Sequence, residues 1–154
     1  MTLTPDLERI ASLQSWEEFE GFSDQAFQSL GFETKRNYRL KKPGVQIDLL
    51  ASRNGTTFVV DCKHWKRTVG KGSMLRVAKN QVHRADRIAA DGVFRKLVPM
   101  ILTWRDESLF ILENGVPIVP IHRLADFVLN WDCPGSEILV LEGESQQRTL
   151  SGSG

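Results

Sequence analysis

The chain has 154 residues, 41% of them hydrophobic and 25% charged, with a net charge of +1, which suits one domain with an ordinary apolar core. No apolar run approaches the ~18 residues of a membrane-crossing helix, no signal-peptide core is present, and two cysteines make no disulfide framework, so a cytoplasmic protein with free thiols is expected. The near-neutral total hides an asymmetry: sixteen Lys or Arg stand against four Asp between Lys35 and Lys96, while the remainder carries four basic and fifteen acidic residues. A basic middle favours a polyanionic partner, with plain solvated surface charge as the alternative.

Residues 1–14 could form a short helix after Pro5. From Ser15 the signal is firmer: Ser15 and Glu18 form a capping box, and Trp16, Phe19, Ala26, Phe27 and Leu30 recur at helical spacing until Gly31. Residues 32–39 read as a strand and "LKKPG" at 40–44 as a turn. "VQIDLLAS" (45–52) and "TTFVVDCK" (56–63) are two β-rich runs, and the Asn54-Gly55 pair between them suits a tight hairpin. A second helix is expected from about Ser73 to Asp91, with Met74, Ala78, Val82, Ala85 and Ala89 as its apolar stripe and basic residues on its other faces. "LVPMILT" (97–103) follows as an apolar strand, reached by a parallel crossover, with Pro99 marking an edge position. "SLFIL" (108–112), "VPIVPI" (116–121) and "EILVLEG" (137–143) are further extended runs, and 122–131 is a candidate last helix. The order implies an α/β layer pattern, a mixed sheet flanked by helices, in a single domain over 1–150 with "SGSG" at 151–154 as a flexible end.

Side chains alternate across a strand. In 57–63, Asp61 and Lys63 therefore share a face with Thr57 and Val59, and Cys62 packs behind with Phe58 and Val60. In 45–50, Val45, Ile47 and Leu49 form one set and Gln46, Asp48 and Leu50 the other. Pairing with Asp48 on the Asp61 side would gather two carboxylates and a lysine at one end of the hairpin. Carboxylates among apolar neighbours are costly to desolvate unless paired or bound to a cation. Mg²⁺ would suit them, because it takes one or two carboxylates and fills its other positions with water and substrate phosphate. On these residues alone, an Asp–Lys ion pair at a frayed strand end is an equal reading.

The ordered set is more specific than its parts. Phe19-Glu20, then Leu30-Gly31-Phe32, then "VQIDLLA", then Asp61-Cys62-Lys63, then "HWKRTVG" leading to a helix, together resemble the PD-(D/E)xK nuclease superfamily, and more closely its Mrr-type restriction endonuclease branch, over about residues 15–105. Two departures stand out: Gln46 occupies a position where that branch usually has glycine, and Asp61 one where it often has Gln or Glu. The resemblance implies a restriction endonuclease-like fold with an αβββαβ core and a DNA endonuclease dependent on Mg²⁺, with Mn²⁺ as a substitute. It implies that Asp48, Asp61 and the Cys62 carbonyl hold the ion, that Glu20 binds it or positions water beside it, and that Lys63 orients the nucleophile and offsets charge. Helical projection agrees for Glu20, which borders the buried stripe, whereas Glu18 points away.

Lys66, Arg67, Lys71, Arg76 and Lys79 are candidate phosphate contacts on double-stranded or branched DNA. Gln81, within the apolar stripe of the second helix, could reach the site or be a buried hydrogen-bonding residue. A homodimer is expected, because cutting two strands is simplest with two symmetric sites, and a separate specificity subunit is a further option. No zinc-ligand spacing and no phosphate-binding glycine loop are present. A non-catalytic nucleic-acid-binding or assembly module that retains the fold is the alternative reading.

Overall fold

The structure is a computed structural model that describes residues 15–41, 44–65, 69–104 and 109–144. Lys66 and Arg67, the first fourteen residues and the 151–154 tail lie outside the described residues. Helix α1 (Trp16–Ser29) is followed by β1 (Glu33–Leu40), β2 (Val45–Arg53), β3 (Thr56–Lys63), α2 (Lys71–Ala90) and β4 (Lys96–Thr103). Short elements complete the described chain: β5 (Phe110–Ile111), β6 (Pro117–Pro120), a 3₁₀ turn (Ile121–Arg123), α3 (Leu124–Asn130) and β7 (Leu141–Glu142). Seven strands form one mixed sheet in the order β1-β2-β3-β4-β6-β5, with β7 paired to β4. The αβββαβ core expected from sequence is present, and no helix among the described residues is long and apolar enough to cross a membrane.

Local chemistry sets the main boundaries. Ser15 Oγ accepts the Glu18 N–H at 3.1 Å, which caps the start of α1. At its other end Gly31 takes φ +89°, and the Phe32 and Gly31 N–H groups return to the carbonyls of Phe27 and Gln28, a Schellman ending that needs the left-handed residue. Asn54 and Gly55 both take positive φ (53° and 80°), the hand that a two-residue hairpin turn requires. Helix α2 starts at Lys71, earlier than the apolar stripe predicts, and Gly70 at its N-cap offers no side-chain cap.

The sheet is packed on both faces. Phe58, Val60 and Cys62 of β3 pack with Phe19 and Phe27 of α1 and with Phe127 of α3, while Val59 packs with Ala85, Ile88 and Ala89 of α2. The alternation expected along β3 is therefore observed. Phe58 is fully buried against the rings of Phe32, Phe127 and Trp131 at centroid distances of 5.7–5.9 Å. Phe58→Ala should lower unfolding stability by about 3–5 kcal/mol, read from a denaturant titration, because it opens a large cavity between two layers.

Two expectations need correction. Pro99 lies in β4, which is central and pairs along its whole length with β3, not at the sheet edge. The proline is tolerated because the second neighbour of β4 changes there: β7 pairs at Lys96 and Leu97, and β6 from Ile101 onward. In β2 the simple alternation fails at Asp48. Leu49 packs on the α1 side, yet Ile47 packs with Leu50 and Val59 on the α2 side. In the neighbouring strand Asn37 takes φ 51°, a left-handed residue at the same level, between the register pairs Arg36↔Leu49 and Tyr38↔Ile47.

Candidate active site

The β2–β3 ladder ends at Leu49↔Val60. Beyond that point the strands are joined by a side chain, since Asp48 Oδ2 accepts the Cys62 N–H at 2.9 Å. The opening holds a cleft of about 680 Å³ lined by Gln46, Asp48, Asp61, Lys63, Gln81 and Arg84, with Trp16, Cys62 and His64 completing its wall. Lys63 Nζ stands 3.3 Å from Asp61 Oδ2, and Arg84 Nη1 stands 4.0 Å from the same oxygen. That oxygen is buried and has no hydrogen-bond partner. Burial of Asp48 and its contact with the Asp61 carboxyl push the Asp48 pKa up to about 7, against the lowering effect of the Cys62 N–H.

Glu20 is buried on α1, as its helical position predicts, but it does not line the cleft. It pairs with Arg36 of β1 at 3.9 Å, and its second carboxylate oxygen is buried without a hydrogen-bond partner. Desolvation raises its pKa, the Arg36 guanidinium works against that rise, and the charge of Asp61 adds to it. Among the described residues no three His, Cys, Asp or Glu side chains converge to hold an ion by themselves. The sequence set of Glu20, Asp48 and Asp61 is thus a close pair with a third carboxylate set back.

The same segment is matched by known proteins. The Mrr_cat family model, described as a restriction endonuclease, matches residues 11–94. The chain belongs to this family. An uncharacterized protein of Archaeoglobus fulgidus is 30% identical over 118 residues, covering 75% of this chain and 90% of that protein. Among solved structures, the small subunit of the heterodimeric restriction endonuclease R.BspD6I aligns with a TM-score of 0.51 at 14% identity, over 94% of this chain and 82% of that one. A protein of unknown function aligns at 20% identity and a TM-score of 0.47; this chain spans 54% of its length and that alignment 73% of this chain.

Within the Mrr-type domain, the donor set suits a hard divalent cation. Two carboxylates and the Cys62 carbonyl are oxygen donors, and such an ion keeps water in its other positions. Asp61 Oδ2 lies near two cations but accepts no hydrogen bond, and burial keeps the Asp48 carboxyl protonated to about pH 7, so both carboxylates retain oxygen lone pairs that a cation could take up. Cys62 itself packs in the core, where burial pushes its thiol pKa upward, so its contribution is its backbone. Cys62 and Cys133 are both free thiols.

The raised Asp48 pKa predicts a pH effect in the metal-free protein. An unfolded aspartate titrates near 3.9, so the folded form binds the proton more tightly. This contribution to stability is fully present below about pH 4 and is lost as pH rises through about 7. The melting temperature in a chelator should therefore fall across that window, with the Glu20 shift acting in the same direction. A flat profile would contradict the placement of the carboxyl pair.

Of the candidate phosphate contacts, Lys71, Arg76 and Lys79 are exposed on α2. Gln81 is 1% exposed and both ends of its amide are engaged: Nε2 donates to the Val59 carbonyl at 2.7 Å, and Oε1 accepts from Arg84 at 3.0 Å. Its two sequence readings describe the same residue: it lines the cleft and it is a buried hydrogen-bonding glutamine. Three residues at the site escaped the sequence. Trp16, read there as part of the apolar stripe, is 45% exposed and donates its indole N–H to the Cys62 carbonyl at 3.1 Å. Arg36 is tied to Glu20 by a sheet register that no local pattern reveals. Arg84 was traceable, since it lies three residues beyond Gln81 on the same helix. His64 stacks on Trp104 with ring centroids 4.6 Å apart, and the half-buried Trp65 packs against the cluster that holds Met74, Ala78 and Ile101.

Proposed function

We propose that the protein is a divalent-metal-dependent DNA endonuclease that hydrolyses phosphodiester bonds directly, without a covalent intermediate. The observation that carries this reading is the meeting of Asp48, Asp61 and Lys63 at one cleft, where the β2–β3 ladder opens, inside the segment that matches the restriction endonuclease family. Asp48, Asp61 and the Cys62 carbonyl would hold Mg²⁺ or Mn²⁺, which when bound polarises a phosphoryl oxygen and lowers the pKa of water. Lys63 would then donate to the attacking water or to a non-bridging oxygen and offset the charge gathered there. Glu20, set back and held by Arg36, would tune the charge of the carboxyl pair and position water behind it.

DNA is the substrate that the charge distribution favours. Lys71, Arg76 and Lys79 present cations along α2, and with Lys66 and Arg67 they would grip backbone phosphates in a salt-dependent way. Double-strand cleavage calls for two sites, supplied by a second copy of this chain or by a separate subunit; the neighbour that it resembles in fold is the small subunit of a heterodimeric restriction endonuclease. A panel of supercoiled, linear duplex and four-way branched DNA, each with Mg²⁺, Mn²⁺ or EDTA, tests the reading and its substrate class. Cleavage that EDTA abolishes is expected. DNA binding with no cleavage in any condition would favour the non-catalytic assembly module.

A further inference from the structure

Arg84 has no role in the reaction outlined above, yet its setting is that of an oriented group. A surface arginine usually moves freely or pairs directly with a carboxylate. Here the guanidinium makes its one short bond to a neutral amide, Gln81 Oε1 at 3.0 Å, while the nearest carboxylate oxygen, Asp61 Oδ2, lies at 4.0 Å. The orientation of that amide is doubly determined. A backbone carbonyl accepts from one end of it and a guanidinium donates to the other, so it cannot be reversed. Val59, the anchor of this relay, lies on the strand that carries Asp61 and Lys63, and Gln81 is almost fully buried.

The relay thus locks α2 to β3 and aims Arg84 into the cleft from the helix side. Lys63 enters from the strand side, and the two cations flank an Asp61 oxygen to which neither is hydrogen-bonded. The side chain of Arg84 is 33% exposed, and its remaining N–H donors form a planar fork that matches two phosphate oxygens. We propose that Arg84 is a second catalytic cation, binding a non-bridging oxygen of the phosphodiester that is cut and offsetting its developing charge opposite Lys63, with Gln81 as its positioning residue. This rests on the nuclease reading above.

The test compares wild type, Arg84→Ala, Arg84→Lys and Gln81→Leu in single-turnover cleavage of duplex DNA in Mg²⁺, with duplex affinity measured separately in Ca²⁺ and folding checked by melting. Arg84→Ala should lose about 10²-fold in rate, the scale of one oriented transition-state donor. Its affinity should change less than about fivefold, since it is one phosphate contact among several. Arg84→Lys should recover only part of the rate, and added guanidinium should partly restore Arg84→Ala. Gln81→Leu should lose about tenfold in rate at saturating DNA, because the fork is misplaced rather than removed. Wild-type rate in Arg84→Ala, or a rate loss matched by an equal loss of affinity, would overturn the role. If Arg84→Ala does not fold, a wild-type rate in Arg84→Lys would overturn it instead. Absence of metal-dependent cleavage by the wild type would overturn the nuclease reading and this proposal together, whereas an active wild type with an indifferent Arg84 overturns this one alone.

Discussion

Replacing Lys63 by alanine is expected to lower the single-turnover rate of DNA cleavage by about 10²–10³-fold, the range seen when one preorganised donor is removed from developing transition-state charge. The fold should survive. Lys63 ends β3, its side chain is 32% exposed and its ammonium reaches the cleft, so no core cavity opens when it is shortened. The melting temperature should accordingly move little, and the loss should appear in the rate. Comparable loss of stability and rate would instead mark Lys63 as the structural partner of Asp61, as a plain ion pair at a strand end would be.

The second large effect is expected at Asp48. Asparagine has the shape of a protonated aspartate, and its amide oxygen can keep the bond from the Cys62 N–H that closes the strand opening. In the metal-free protein at pH 8, Asp48→Asn should raise the melting temperature, because it removes the cost of burying the Asp48 carboxylate, the main cause that pushes its pKa up to about 7, together with its interaction with the Asp61 carboxyl. The same variant should lose the stabilisation that Mn²⁺ gives the wild type. Its metal affinity should drop by more than the ~10–100-fold that accompanies loss of an outer partner of a metal site. Opposite signs in chelator and in metal are the distinctive result. A variant less stable in both conditions would show that Asp48 serves the strand junction and not a cation.

Much of this site can be read along the chain wherever the chemistry is local. The Asn54-Gly55 turn, the Gly31 helix ending and the alternation of Asp61 with Cys62 depend on neighbours a few residues apart, and all three appear as expected. Helical projection puts Glu20 at the border of the buried stripe, and in the structure it lies on the buried side of that border. What escaped depends on elements distant in sequence. The change of face at Asp48 coincides with the left-handed Asn37 of the adjacent strand, and the tolerance of Pro99 goes with the change of partner from β7 to β6. The hold of Trp16 on the Cys62 carbonyl joins positions 46 residues apart. Short edge pieces were also over-read: "EILVLEG" contributes only Leu141–Glu142 as strand, because only those residues reach the Lys96–Leu97 end of β4.

The convergence of Asp48, Asp61 and Lys63 acquires meaning only through what it does to a phosphodiester. The most direct measurement places wild type and Lys63→Ala side by side on supercoiled plasmid, with Mg²⁺ and with EDTA. Nicked or linear product is predicted in the wild-type lane with Mg²⁺ and in no other. Intact plasmid in that lane, persisting with Mn²⁺ and with branched DNA as substrate, or equal cleavage by Lys63→Ala, would contradict the assignment of this cleft as the active site.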